Sequence, residues 1–385
     1  IMAAPDHARQ IKDLWARREL RSLLADARDA MTGAEDMAAV CEQMEDQFAR
    51  INDLARAAER AHSWGRAVSD MIDKVSTAYQ ADGVAGLTTG IPQLDQLTGG
   101  MIAPEVWLIG ARTSMGKSAI ACHSVLKQAQ SGVGVFVNSM EMNPAEMVMR
   151  MASAICLQRG RRIEYEALRR GDISEADFKM MVQSMQEVEN LPIIITPPTM
   201  RSSGAIMAEA RAAQRRFENW KGGGVKMGSM IFDYIQRMRV SGSDSRVDEI
   251  TEAMRIMKDL SVKHECPAIP LAQVNRGSDQ RAAQGAGTIP RPRLSDLKGA
   301  GALEEDSDIV LILHRDDYYI EKQRPTNSQD IAEQAKRLER ARGKMDIFVD
   351  KFRSGAVTEI EVKIDLGTNT VLAPVEDPQQ GMDFR

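Results

Sequence analysis

Val106-Trp-Leu-Ile-Gly-Ala-Arg-Thr-Ser-Met-Gly-Lys-Ser-Ala119 is the stretch that decides the fold. Residues 106–110 are an unbroken apolar run and read as a buried strand. A short loop follows, ends in Gly116-Lys117-Ser118, and gives way to a helical stretch from Ala119. Strand, loop, Gly-Lys-Ser and helix is the order that a phosphate-binding loop requires. Gly116 lets backbone N–H groups turn inward on an anion, and the helix aims its positive dipole end at the same point. Lys117 supplies a point charge for the β and γ phosphates, and Ser118 a hydroxyl for Mg²⁺. The strict pattern has glycine where this chain has Ala111, with Gly110 one step earlier. Ser114, Met115, Gly116, Lys117, Ser118 and Ala119 are the candidate nucleotide-binding residues.

Outward from this loop, β-type runs alternate with helical stretches, the mark of an α/β domain with a mostly parallel sheet. Strands are expected near 106–110, 133–138, 193–196, 230–232, 268–272 and 309–313. Helices are expected at 144–157, 202–220 and 247–264. Segments 345–351 and 358–364 read as a hairpin turning at Ser354-Gly355. The charged stretch 321–343 reads as a solvated insert with some helix. Before residue 86 the chain is helical in character, with helices expected at 6–31, 35–61 and 63–79. In the third, Trp64, Val68, Met71, Ile72, Val75 and Tyr79 fall on one stripe. That stripe packs on its own domain or docks on a neighbouring subunit; the flexible Asp82-Gly83 and Gly86 after it favour a linker helix.

Two carboxylates are candidates to complete a hydrolytic site. Residues 230–232 are an apolar run ending at Asp233, placed to hold Mg²⁺ through water. The strand after the phosphate-loop helix leads into Ser139-Met-Glu141-Met142. Taken as the strand adjacent to 106–110, it puts Glu141 at its C-terminal end, where ligands bind in open α/β sheets. There it can polarise an attacking water.

Composition sets limits. The 385 residues allow one large and one smaller domain. Cysteines at 41, 122, 156 and 266 form no Cys-x-x-Cys pair, so free thiols in a reducing cytoplasm are expected. Long apolar runs are missing, so no membrane span is expected. The formal net charge of −5 argues against a uniformly basic surface but leaves room for a local basic lining. The start at Ile1 reads as a trimmed or incomplete N-terminus.

In order and spacing, Ala111–Ser118, Asn138-Ser-Met-Glu-Met142, Ile231-Phe-Asp-Tyr-Ile-Gln236, Ala272-Gln-Val-Asn-Arg276 and Asp296-Leu-Lys-Gly-Ala-Gly301 resemble the motifs of the bacterial DnaB replicative helicases and their phage relatives. The resemblance covers about 86–372 and, more weakly, the N-terminal helices. It implies a RecA-like P-loop ATPase domain over 86–385, a partial helical collar domain over 1–62, and a linker helix and linker over 63–85. It implies a homo-hexameric ring that uses ATP and Mg²⁺ to translocate 5′-to-3′ on single-stranded DNA and unwind duplex at the fork. A helicase loader and a primase are the implied partners, in the cytoplasm of a bacterium or from a phage. By motif, Lys117 and Ser118 bind phosphate and metal, Glu141 resembles the catalytic glutamate and Asp233 the metal aspartate. Gln273 resembles the residue that senses the γ-phosphate. Lys351-Phe-Arg353-Ser-Gly355 resembles the family's Lys-x-Arg-x-Gly, which makes Arg353 an arginine finger reaching the neighbouring nucleotide and Lys351 its partner. Phe352 and Ser354 depart from the usual residues. Lys298, Gly299 and Gly301 resemble the DNA-binding loop, with Lys298-Gly299 where Arg-Glu is more usual. The alternative reading is a RecA-like protein that binds DNA under an ATP switch, as a ring or filament, without unwinding.

Overall fold

The computed structural model describes residues 4–31, 63–81, 83–240, 245–274, 291–297, 299–323, 325 and 327–372, with isolated positions between 40 and 51. The expected helix at 35–61, the hinge at Asp82, Cys41, Asn275-Arg276 and Lys298 lie wholly or largely outside the described residues. Two compact units emerge: Ile1–Thr77 with Gly204–Glu209, and Ala78–Ser203 with Ala210–Arg385.

The first unit contains α1 (Ala4–Ala30) and most of α2 (Trp64–Gln80). No residue of α2 is buried, and its apolar stripe is open, with Trp64 84% and Tyr79 85% exposed. Among the described residues, the stripe therefore packs into no core.

The second unit is built on one nine-stranded sheet in the order β3-β2-β4-β5-β1-β6-β7-β8-β9. The strands are β1 (Trp107–Ala111), β2 (Gly134–Ser139), β3 (Ile193–Thr196), β4 (Met227–Asp233), β5 (Ala268–Gln273), β6 (Ile309–His314), β7 (Lys344–Phe352), β8 (Thr358–Asp365) and β9 (Thr370–Leu372). The first six in the spatial order are parallel, and β7, β8 and β9 are antiparallel. Every residue of β1, β2 and β6 is buried, as apolar strands covered on both faces should be. One expectation is corrected. β2 is not adjacent to β1, because β5 and β4 lie between them. Helical crossovers let a strand skip its neighbours, and sequence order alone does not say how many. β9, a three-residue strand, is a further element that the sequence pattern does not mark.

The helices that matter for the site start where local chemistry demands it. Lys117–Gln130 opens on Gly116, which has φ 91° and no side-chain cap, so its first-turn amides are left for an external acceptor. Pro144–Gln158 opens on a capping box, with Asn143 accepting from the Glu146 N–H and Pro144 in the first turn. In the charged stretch after β6, Ser328–Ala341 is a helix capped by Asn327 with no buried residue. No described helix is long and apolar enough to cross a membrane. Cys122, Cys156 and Cys266 are free and buried, and burial pushes the Cys122 and Cys266 thiols up to about 12.

Candidate active site

A cleft of about 440 Å³ opens at the C-terminal ends of the parallel strands. The loop after β1 forms its floor, and Glu141, Gln273, Arg150 and Asn369 line its walls. Of the residues expected to bind nucleotide, Ser114, Gly116, Lys117, Ser118 and Ala119 line it. Met115 points its side chain into the core, 1% exposed, so only its backbone can face an anion.

The loop is held open by specific contacts. Gly116 adopts φ 91°, and a Cβ there would stand 2.7 Å from Met345 Cε and 3.0 Å from Leu366 Cδ2. Ser114 adopts φ 70°, which is uncommon for a residue with a side chain. Its carbonyl accepts from Arg315 Nη1 at 3.1 Å, and Arg315 Nη2 in turn reaches Asp317 Oδ2 at 2.7 Å. Arg315 is a supporting residue that the sequence reading misses. Its one signal is a basic residue directly after an apolar strand.

Asp233 ends β4 and is 0% exposed. Neither of its carboxylate oxygens accepts a hydrogen bond. Lys117 Nζ lies 3.2 Å from Oδ1 as an ion-pair contact, and sits 4.4 Å from the centre of the Tyr234 ring. A buried carboxylate without donors is costly unless a cation satisfies it. Lys117 answers Oδ1, which leaves Oδ2, together with the Ser118 hydroxyl in the cleft, as the donors that suit a divalent ion. Among the described residues no cluster of three or more His, Cys, Asp or Glu could hold a metal unaided. The remaining ligands would have to be phosphate and water oxygens, which is how Mg²⁺ is usually bound.

Glu141 sits in a tight turn after β2. Ser139 Oγ donates to Met142 O at 2.6 Å and accepts from Met142 N–H at 3.2 Å. Met140 N–H donates to Asp233 O at 2.8 Å, which ties this turn to the end of β4. Glu141 thus reaches the cleft although two strands separate β2 from β1. Arg237 Nη2 stands 3.7 Å from its Oε1. Gln273 ends β5 and donates from Nε2 to Thr113 Oγ1 at 2.7 Å. Its backbone is clasped by the Gln236 amide, which accepts from Gln273 N–H at 3.1 Å and donates to Gln273 O at 3.3 Å. A side-chain amide that bonds the loop after β1, on a residue whose backbone is itself held by a second amide, can report the state of that loop.

The other expected residues lie elsewhere. Lys351 Nζ donates to Glu304 O at 2.5 Å, and Arg353 Nη1 donates to Asp308 Oδ1 at 3.2 Å. Both belong to the far end of the sheet. Arg353 N–H pairs with Asp308 O, whereas the end of β1 pairs Ala111 with Leu313 of β6. Five residues of strand separate those levels, about 17 Å at roughly 3.3 Å per residue. Arg353 therefore cannot reach the cleft of its own chain. Gly299 has φ 81° and opens the short helix Ala300–Glu305, with its carbonyl accepting from Leu303 N–H. A Cβ at Gly299 would press on Ile250 Cγ2 at 3.2 Å. Gly301 lies in the first turn of that helix, and a Cβ added there would have nothing within 4 Å. Arg291, exposed in the loop ahead of this segment, pairs with Glu359 at 3.0 Å.

The chain matches the family described as DnaB-like helicase C terminal domain over residues 86–370. It is 28% identical over 379 residues to the replicative DNA helicase DnaB of Rickettsia typhi, covering 94% of this chain and 72% of that protein. It is 29% identical over 315 residues to the replicative DNA helicase DnaB of Geobacillus stearothermophilus, covering 79% of this chain and 63% of that one. The chain thus spans less than two thirds of the length of some of these relatives. Among solved structures, one described as an ATPase domain superposes with a TM-score of 0.67 at 25% identity, over 81% of this chain and 99% of that one. A DnaB-like replicative helicase, described with its interactions with primase, gives 0.70 at 22% identity over 96% of this chain and 78% of that chain, a likeness of fold. The sheet shared with these neighbours is the RecA-like ATPase fold.

Proposed function

The chain belongs to the DnaB-like helicase C-terminal domain family, and from that premise we propose that it is the motor of an ATP-dependent replicative DNA helicase. The observation that carries the proposal is the convergence, on one cleft, of groups from the ends of three strands, with a fourth strand end buried behind it. The phosphate loop after β1, Glu141 after β2 and Gln273 at the end of β5 line the cleft, and Asp233, buried at the end of β4, meets it through Lys117 at 3.2 Å. ATP binds with its phosphates on the amides of Gly116, Lys117, Ser118 and Ala119. Lys117 counters phosphate charge, and Ser118 and Asp233 would hold Mg²⁺, which would supply further neutralisation of phosphate charge. Glu141 orients the attacking water and takes its proton. Gln273 contacts the γ-phosphate and relays its loss through β5.

One further group is needed: a cation to meet charge developing on the transferred phosphoryl group. Arg353 is the candidate; its place about 17 Å down the sheet excludes the cleft of its own chain and supports a role in the cleft of a neighbouring subunit. Hydrolysis then requires a ring, which we take to be a homo-hexamer around single-stranded DNA moving 5′-to-3′. The open apolar stripe of α2 docks on a neighbouring subunit in that ring. Lys298, Gly299 and Gly301 face the strand and contact phosphate, which carries no sequence information. The segment 1–62 forms part of a collar, 63–85 links it to the motor over 86–385, and a loader and a primase are partners of the whole assembly in a bacterial cytoplasm.

The test is a forked DNA with one labelled strand. With ATP and Mg²⁺, a ring-forming preparation should release the labelled strand when the fork carries a 5′ single-stranded tail, and should stop when Lys117→Ala replaces the wild type. Steady ATP hydrolysis without strand release would support the rival, a DNA-binding switch.

A further inference from the structure

Asp308 lies just before β6, at the end of the sheet away from the cleft, and is 7% exposed. Its two carboxylate oxygens are divided between two tasks. Oδ2 accepts from Val106 N–H at 2.9 Å and from Lys258 Nζ at 2.7 Å, and the same ammonium donates to Pro104 O at 2.9 Å. Oδ1 faces Arg353 Nη1 at 3.2 Å. The backbone repeats the link, since Arg353 N–H donates to Asp308 O at 3.0 Å. The Arg353 side chain is nevertheless 73% exposed. One nitrogen of the guanidinium is gripped by its own chain while most of the fork looks outward. Burial pushes the Asp308 carboxyl up, but Lys258, the Val106 N–H and Arg353 together hold it below the usual carboxylate range. It is therefore an anion throughout the neutral range.

We propose that Asp308 is the positioning residue for Arg353, fixing the guanidinium in the direction from which it enters the neighbouring subunit's cleft. The proposal rests on the reading of Arg353 as a trans-acting finger. An exposed ion pair usually does little, because two mobile side chains must be ordered to make it. Here the acid end is already immobile, buried and bonded to two other groups, so only the arginine remains to be ordered. Anchoring one of its nitrogens removes much of the ordering that each encounter would otherwise require. Guanidinium geometry allows this, since five N–H donors on a rigid plane let Nη1 be held while others stay free. Lysine at 353 could not be held and presented at once in that way. Two further contacts steady the same hairpin end without touching the guanidinium: Lys351 Nζ on Glu304 O, and Asp350 Oδ2 accepting from Leu294 N–H at 3.0 Å.

The experiment uses the full, ring-forming chain with Asp308→Asn, which keeps the side-chain shape and an acceptor for Val106 but removes the charge. A misplaced catalytic group loses on the order of 10²-fold in rate, so kcat for DNA-stimulated ATP hydrolysis should fall about 10- to 100-fold. The KM for ATP should stay within about twofold, because Asp308 does not touch the cleft that binds it. Added to Arg353→Ala, Asp308→Asn should lower kcat no further. Rings mixed from Asp308→Asn and Lys117→Ala subunits should recover activity, since an intact phosphate loop from one can meet an intact finger from the other. A parallel mixture of Arg353→Ala with Lys117→Ala tests the finger itself. If the Asn variant fails to fold, Asp308→Glu takes its place, keeping the anion for Lys258 while shifting it by one methylene against Arg353. An unchanged or raised kcat, an additive loss on the Arg353→Ala background, or no recovery where the Arg353→Ala mixture recovers would each overturn the role of Asp308. Failure of the Arg353→Ala mixture would instead remove the finger reading on which it stands.

Discussion

Replacing Gly116 by alanine probes the phosphate loop in two separable ways. The residue sits at φ 91°, where a Cβ is strained, and that Cβ would stand 2.7 Å from Met345 Cε and 3.0 Å from Leu366 Cδ2. Gly132 is the natural control, with φ 89° and nothing within 4 Å of its added Cβ. Both substitutions incur the left-handed backbone penalty, about 1–2 kcal/mol. Only Gly116→Ala must also move Met345 Cε, the far end of a flexible side chain, and ease Leu366 Cδ2, which adds about 1 kcal/mol, the low end of overpacking costs. Thermal unfolding should therefore place Gly132→Ala below the wild type and Gly116→Ala lower again, at about 2–4 °C per kcal/mol. A non-hydrolysable ATP analogue at about 100 times its Kd stabilises a binding-competent fold by about 2.7 kcal/mol. That rise should persist in Gly132→Ala and vanish in Gly116→Ala, whose loop amides no longer converge. Equal midpoints for the two variants would refute the packing argument. A full ligand-induced rise in Gly116→Ala would refute the assignment of the loop to phosphate.

Three further outcomes follow from the site and its surroundings. Glu141→Gln should bind the ATP analogue as the wild type does, yet lose about 10²–10⁴-fold in kcat by rapid-quench measurement; retained turnover would mean another base. Gln273→Ala removes the 2.7 Å bond to Thr113, so kcat should fall by up to about tenfold and the stimulation by DNA should shrink with it. An undiminished stimulation ratio would place the relay elsewhere. His264 is buried, and burial, with Lys263 and Arg211 nearby, lowers its imidazole to about 4. The unfolded chain takes up that proton first, near 6.5, so stability should decline as pH falls from about 6.5 to about 4 and the histidine contributes no further loss below that. The shift corresponds to roughly 3 kcal/mol, and His264→Gln should flatten this part of the denaturation profile. A profile equally steep in the variant would assign the acid sensitivity to other groups.

Much of the motor is legible in the sequence because its strands are short apolar runs closed by polar residues. Segment 193–196 reads with the bounds that the strand adopts, and the expected ends of β1, β5 and β6 each fall within one residue of the observed ones. Lys117, Ser118, Glu141 and Asp233 carry a local signal because each ends such a run or lies in the turn or loop after one, whereas Gln273 is reached only through the family resemblance. The lateral order of strands carries no local signal. That is why β2 reads as a neighbour of β1, when two strands reached through later crossovers separate them. The supporting contacts are hidden for the same reason. Thr113 and Gln273 are 160 residues apart, Ser114 and Arg315 are 201, and Val106 and Asp308 are 202. Each is a polar pair that becomes meaningful only once the sheet has closed. The exposure of the α2 stripe is the opposite case: its helical period is plain, but a period does not say which surface covers it.

Displacement of streptavidin from biotinylated single-stranded DNA tests the central claim most directly. A 5′-to-3′ motor powered by this cleft should, with ATP and Mg²⁺, strip streptavidin from a 3′-biotin end much faster than from a 5′ end. Displacement should disappear with Glu141→Gln while binding to the strand remains. Strand binding that depends on ATP, with equal and undetectable displacement from both ends, would contradict the account and leave a nucleotide-switched DNA-binding ring.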